Sequence, residues 1–173
     1  MITQNMKNIM ACMLQASANV YGMLPVTATN GIQMFIAPNF SFPDSRNESF
    51  SSDALAAGIS FGRGNTPATE RDYVLEDTIT SGITVTITGN EVGMDNGCPY
   101  HKYTFTVVNN TGTELIIKEV GYKQSISACI VSGYTTSTSA RVLIDRTVLT
   151  TPLTIQNGDA GVLVYTLKTI PSN

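Results

Sequence analysis

Across residues 100 to 167 the chain alternates apolar and polar residues in one segment after another, and each segment ends on residues that reverse a chain. Tyr103-Thr-Phe105-Thr-Val107 alternates, Asn109-Asn110-Thr111-Gly112 turns, and Leu115-Ile-Ile117-Lys-Glu-Val120 returns. Pro152-Leu-Thr-Ile155, the turn Gln156-Asn157-Gly158-Asp159 and Val162-Leu-Val-Tyr-Thr-Leu167 repeat the arrangement. Successive side chains of a strand point to opposite faces, so a half-buried strand must alternate. A tight hairpin needs Asn, Asp or Gly to reach positive φ. The pattern commits this part of the chain to paired antiparallel strands.

The same reading extends upstream. Ala56-Ala-Gly-Ile-Ser-Phe61 reads as a strand, Gly62-Arg63-Gly64-Asn65-Thr66-Pro67 as a Gly/Pro turn, and Ile83-Thr-Val85-Thr-Ile87-Thr as a strand with one threonine face. Asp72 is placed to cap a short turn of helix. Further strands are expected at 100–108, 114–122, 126–131, 140–149 and 160–168. That makes about seven or eight short strands with no helical pattern between them, whereas a parallel α/β fold needs such helices. The expected fold is all-β: an antiparallel Ig-like or jelly-roll-type β-sandwich over residues 56–173.

Residues 1–55 differ. Met6, Ile9, Met10, Met13 and Val20 recur at helical intervals, predicting an amphipathic helix over 5–20 that Tyr21-Gly22 and Pro25 end. Its Met-rich stripe fits packing on the protein's own sandwich; the alternative is docking onto a neighbouring subunit. Residues 26–53 read as an irregular, extended arm with one strand, Ile32-Gln-Met-Phe-Ile36, and with Phe35, Phe40, Phe42 and Phe50 as aromatic anchors. The regular strands account for a scaffold, so a docking or oligomerisation role is expected in this N-terminal part.

Composition narrows the function classes. Charged residues make up 13% of the 173 residues, well under the ~25% of ordinary soluble domains, which leaves a surface suited to contact with other protein. Ten basic against thirteen acidic residues give a net charge of -3, and the basic ones are scattered, so no clustered face for nucleic acid is expected. No apolar stretch is long enough for a membrane helix. Cys12, Cys98 and Cys129 are an odd number in a chain that needs no disulfide staples, and three free thiols is the plainer reading, with a Cys98–Cys129 bridge as the alternative. The apolar run near Cys12 is short and broken by Asn8 and Gln15. No leader is expected, and a cytoplasmic product that later enters an assembly fits better than a secreted one.

Constellations for chemistry are sparse. His101 is the one histidine, and Cys98-Pro-Tyr-His101 offers two metal ligands where a structural zinc site needs four. His101 is expected to point outward at the start of its strand. No Gly-x-Ser-x-Gly elbow occurs, and Asp72, Glu76 and Asp77 match no calcium loop. Gly62-Arg63-Gly64 lacks the Lys-Ser/Thr that completes a phosphate loop. Asn39, Asn47 and Asn109 open formal glycosylation sequons that chance explains in a chain rich in Asn, Ser and Thr. Tyr100, Tyr103, Tyr122 and Tyr134 are the aromatics that a carbohydrate- or receptor-binding module would present, in a chain with no Trp. The expectation is a non-enzymatic protein with no catalytic residues, no cofactor and no metal.

Two passages carry a resemblance. Ile59-Ser-Phe61-Gly62-Arg63-Gly64-Asn65-Thr66-Pro67-Ala68-Thr-Glu-Arg-Asp72-Tyr73-Val-Leu75-Glu76 resembles the FGxGxTPPxxxDYxLE segment of a family of small proteins encoded by tailed bacteriophages and prophages of gut bacteria. Ile117-Lys-Glu119-Val120-Gly121-Tyr122, Leu143-Ile-Asp145-Arg146-Thr147-Val148-Leu149-Thr-Thr-Pro152-Leu153-Thr154-Ile155 and Gly161-Val-Leu-Val164-Tyr165-Thr166-Leu167 are similar to that family's IxEVGL, LxxRTVLxxPVTI and GxxxVTYTI elements. The likeness runs in order through residues 59–168, with Ala68 for the second proline and Asn157-Gly158 for the usual Pro-Gly. It implies a virion structural protein with an Ig-like or related sandwich, of capsid-decoration or head-fibre type. The partners it implies are other virion proteins, major capsid or tail, with the chain as a homo-oligomer. A tail or baseplate component is the alternative within that reading.

Overall fold

The computed structural model describes residues 1–15, 24–36, 58–128 and 138–168. One helix, α1 (Gln4–Gln15), precedes eight strands: β1 (Leu24–Thr27), β2 (Gln33–Ile36), β3 (Ile59–Gly62), β4 (Ile83–Asp95), β5 (Cys98–Asn109), β6 (Leu115–Ala128), β7 (Thr138–Ile155) and β8 (Ala160–Lys168). All strand pairs are antiparallel. They form two three-stranded sheets, β3-β6-β7 and β4-β5-β8, and the hairpin β1-β2.

The expected all-β antiparallel sandwich is present, and the alternation built it. Phe105 and Val107 of β5 and Leu163 and Tyr165 of β8 point inward against Ile59 and Phe61 of β3, Ile117 and Val120 of β6 and Ile155 of β7. Phe61 and Phe105 meet edge to face at 5.8 Å. Each fully buried side chain of this size contributes roughly 1.5–3 kcal/mol. The hairpin β4-β5 turns on Asn96 and Gly97, both at positive φ as an Asn-Gly turn requires. Asn109, fully buried, holds two turns together by donating to the carbonyls of Thr113 and Ile155 and accepting from Thr111.

Several expected segments are longer than predicted. The segment at 114–122 and the described part, 126–128, of that at 126–131 share one strand, β6, and those at 140–149 and 152–155 share β7, because register shifts absorb the breaks in alternation without ending the ladder. One shift falls between Ile117 and Glu119. It inverts the parity of β6, so Ile117 and Val120, three residues apart, both face the core, and Glu119 and Gly121 face outward. Strand β1 lies where an irregular arm was expected: Pro25 sits near its start, a position where the missing N–H is tolerated. Phe35 is half-buried in β2; Phe40, Phe42 and Phe50 lie outside the described residues.

Helix α1 begins at Gln4, and the remainder of the predicted span, 16–20, lies outside the described residues. Two residues of its stripe pack on the protein's own strands, whereas Met10 is exposed: Met6 lies against, and Ile9 within, a second core with Val26 and Ala28, Met34 and Ile36, and Ile126, Val142 and Ile144 from the far ends of β6 and β7. Polar side chains fix the register. Asn5 donates to the Thr27 carbonyl and accepts from the Thr27 N–H, both at 2.8 Å, Asn8 donates to the Pro25 carbonyl, and the Thr3 hydroxyl donates to the Leu143 carbonyl at 2.7 Å. Residues 1–3 and 28–29 run along β7, through bridges from Ile2 to Asp145 and from Ala28 to Val142.

Candidate functional site

The sequence motifs meet on the outer face of the β3-β6-β7 sheet. Gly62 pairs with Glu119 and Gly121 pairs with Arg146, so the side chains of Glu119 and Arg146 are diagonal neighbours on one face. After Gly62 the chain leaves the sheet, crosses over this face and returns where Thr78 bridges Gly62, with the Arg63 N–H on the Asp77 carbonyl and the Ile79 N–H on the Phe61 carbonyl. Residues 63–77 therefore form a closed loop laid over Glu119 and Arg146. Leu75 of the loop packs on Gly121, where a Cβ would stand 2.7 Å from its Cδ2.

Glu119 is 0% exposed and Arg146 3% exposed. Buried charges demand partners, since an unpaired one is far costlier than a paired one. Glu119 Oε1 accepts the N–H groups of Gly64 and Asp77, each at 3.1 Å, and Oε2 accepts the Glu76 N–H and, at 2.7 Å, Arg146 Nε. Arg146 Nη1 donates to Asp72 Oδ2 at 2.8 Å, and Nη2 to the Thr66 carbonyl, with Glu76 Oε2 at 3.6 Å. Asp72 accepts from the N–H and hydroxyl of Thr69, and Glu76 from those of Thr66. One guanidinium is thus surrounded by three carboxylates, and loop N–H groups supply the remaining donors.

The two glycines of Gly62-Arg63-Gly64 serve this clamp. A Cβ on Gly62 would lie 2.3 Å from Glu119 Oε1, and one on Gly64 would lie 2.4 Å from the Glu76 Cβ and 2.7 Å from Glu119 Oε1. Only backbone fits between the loop and the carboxylate. Burial alone would push the Asp72 carboxyl up, but its bonds from Arg146 and Thr69 outweigh this and hold it below its ordinary value. Glu76 is held low chiefly by the Thr66 hydroxyl. Burial would lower the Arg146 pKa, and Asp72 and Glu119 raise it instead. The guanidinium stays charged.

A second polar cluster lies on the inner face of the neighbouring residue. Asp145 Oδ1 stands 2.9 Å from the Met1 ammonium, and Oδ2 accepts from the Thr147 and Tyr165 hydroxyls. Burial, then the Asp145 charge, push Tyr165 above its ordinary pKa.

The remaining sequence candidates do not assemble. Cys98 and His101 are three apart on β5 and so point to opposite faces, which prevents them from sharing a metal. Cys98 is a buried free thiol; Cys129 lies outside the described residues. His101 is half-buried rather than outward: it continues the inward row of Tyr103 and Phe105 past the end of the sandwich. There it stacks on Tyr103 at 4.0 Å, with Nδ1 on the Tyr103 hydroxyl and Nε2 on Asn90 Oδ1. Burial lowers the His101 pKa and pushes Tyr103 up to about 12. Asp72 caps no helix; it closes a turn onto Thr69, three residues before it. Asp77 is exposed beside Arg63. Tyr100, on the opposite face of β5 from buried Tyr103, donates to Glu91, so these two make no common platform; Tyr122 packs half-buried against both cores, and Tyr134 lies outside the described residues. Among the described residues no helix is long and apolar enough to cross a membrane.

Glu119 and Arg146 escaped the chemistry-led reading of the sequence, although the strand pattern carried a signal for both. Lys118-Glu119 and Asp145-Arg146 are adjacent charged pairs inside otherwise largely apolar strand segments, where a buried charge must find a partner. No protein-family model matches the chain, and no curated protein or solved structure matches it significantly.

Proposed function

We propose that this chain is a non-enzymatic structural component of a tailed-bacteriophage virion, with an Ig-like sandwich, of capsid-decoration or head-fibre type. It docks on other virion proteins, major capsid or tail, as a homo-oligomer after synthesis in the host cytoplasm. What supports the reading is the fate of the residues that carry the resemblance. Gly62, Gly64, Asp72, Glu76, Glu119 and Arg146 come from separate motifs, and together they make one buried clamp. The polar atoms of Glu119 and Arg146 are engaged inside the chain, which suits a scaffold that holds its loop rather than a site that turns over substrate. The low charge of the chain suits a surface that meets other protein. Mass spectrometry and cryo-electron microscopy of particles purified from the producing host test it. Many symmetric copies are expected, and absence of the chain from the particle overturns the proposal.

A further inference from the structure

Strand β8 closes the β4-β5-β8 sheet on one side. Among the described residues it pairs with β5 alone, continuously over nine residues and with no register shift. Natural edge strands are blunted by proline, bulges, inward charges or brevity. Within β8 there is no proline, and the one charged residue, Lys168, stands at its end. The other edge, β4, does carry such devices: a bulge after Ile87, two glycines, and Glu91 and Asp95 in its outer half. The outward row of β8 is apolar from Ala160 to Val164 and polar only at Thr166 and Lys168. Val162 is 62% and Val164 57% exposed, beside Thr104 and Thr106 of β5.

We infer that β8 is a dimerisation edge, pairing antiparallel with β8 of a second copy about a two-fold axis at Leu163. What fits an open edge is another strand, and the sequence of β8 is self-complementary in this register. Val162 of each copy faces Val164 of the other, so the valine pair occurs twice by symmetry. Leu163 faces itself on the core side, and Gly161 faces Tyr165, leaving room for the ring. Lys168 falls opposite Gly158, beyond the paired span, and keeps its own partner Asp95 at 2.6 Å, so no like charges face each other across the pairing. A two-fold pairing uses the same patch on both copies and terminates after two, giving a continuous six-stranded sheet. This inference gives a geometry to the homo-oligomer of the proposed function: a monomer would sink both, and leave the particle test of the virion role untouched.

The test is sedimentation and crosslinking of the whole chain. The wild type is expected to show a concentration-dependent monomer–dimer equilibrium. Val164→Lys, with an unchanged circular-dichroism spectrum, is expected to raise the dimer dissociation constant about tenfold. Register is read by disulfides: a mixture of Val162→Cys and Val164→Cys is expected to oxidise to a covalent dimer above the wild-type background. Neither variant alone should do so, because the diagonal spacing of about 7–8 Å exceeds disulfide reach. A wild type that is monomeric up to its solubility limit overturns the inference. So does an oligomer indifferent to Val164→Lys, or self-crosslinking of a single variant as efficient as that of the mixture.

Discussion

The sandwich core and the smaller core beneath α1 share strands β6 and β7, yet they are closed by different means. The sandwich gathers thirteen buried residues, aromatic rings among them, and its β3-β6-β7 sheet is covered on the outside by a loop pinned to a buried charge cluster. The core beneath α1 gathers eight buried residues among those described, all aliphatic, with Tyr122 against its side, and neutral amide and hydroxyl side chains fasten the helix to backbone groups. The contrast teaches that one long hairpin can carry two units of unequal strength. Where charges are buried, breaking one bond strands the rest; where neutral groups tie a helix down, failure stays local.

The sharpest way to break the comparison is Glu119→Ala. It leaves Arg146 short of a partner and orphans the N–H groups of Gly64 and Asp77, and it is expected to cost about 3–5 kcal/mol, read from urea unfolding. A loss below about 1 kcal/mol would reduce the clamp to the rank of a surface ion pair. Next comes Gly64→Ala, whose methyl must displace Glu76 or Glu119; overpacking of this kind costs about 1–3 kcal/mol, measured the same way. Asn5→Ala then probes the other core. Leaving both polar groups of Thr27 unpaired is expected to cost about 1–2 kcal/mol, with faster amide exchange in α1 and β1 and unchanged exchange in β5. Uniform acceleration in all strands would mean that the two units open together.

The smallest effect is expected in pH dependence. Asp72 titrates below its ordinary value of 3.8 when folded. Its stabilising contribution is therefore complete above that value and is lost as pH falls through the lower folded pKa. Asp72→Asn should flatten the acid limb of the stability curve by that amount, and an unaltered limb would move the acid sensitivity to another carboxylate.

Much of the scaffold was legible because alternation is a local property. Tyr103, Phe105 and Val107 announce their facing without reference to any partner strand. The helix was legible for the same reason, since Met6, Ile9, Met10 and Met13 repeat at its period. The joining of segments into β6 and β7 was not, because a register shift depends on what lies across the ladder. Strand β1 was hidden by Pro25, which reads as a breaker until the edge position is known. The clamp was half legible. Gly62-Arg63-Gly64 and Asp72 through Glu76 stood out as motifs, and Gly62-Arg63-Gly64 read simply as a turn; the carboxylate that explains it, Glu119, is 55 residues beyond Gly64. His101 was misread because the inward row of β5 runs past the end of the sandwich.

The bond from the Thr3 hydroxyl to the Leu143 carbonyl joins residues 140 positions apart, and it has a consequence for how the protein is born. A ribosome adding about 5–20 residues per second needs on the order of ten seconds to deliver β7 after α1 has emerged. Throughout that interval Ile9 and Met6 have only the β1-β2 hairpin, and neither β6 nor β7, to cover them. The helix thus waits for its full cover until β7 is made, and a nascent chain stalled before Leu143 would carry it only partly covered.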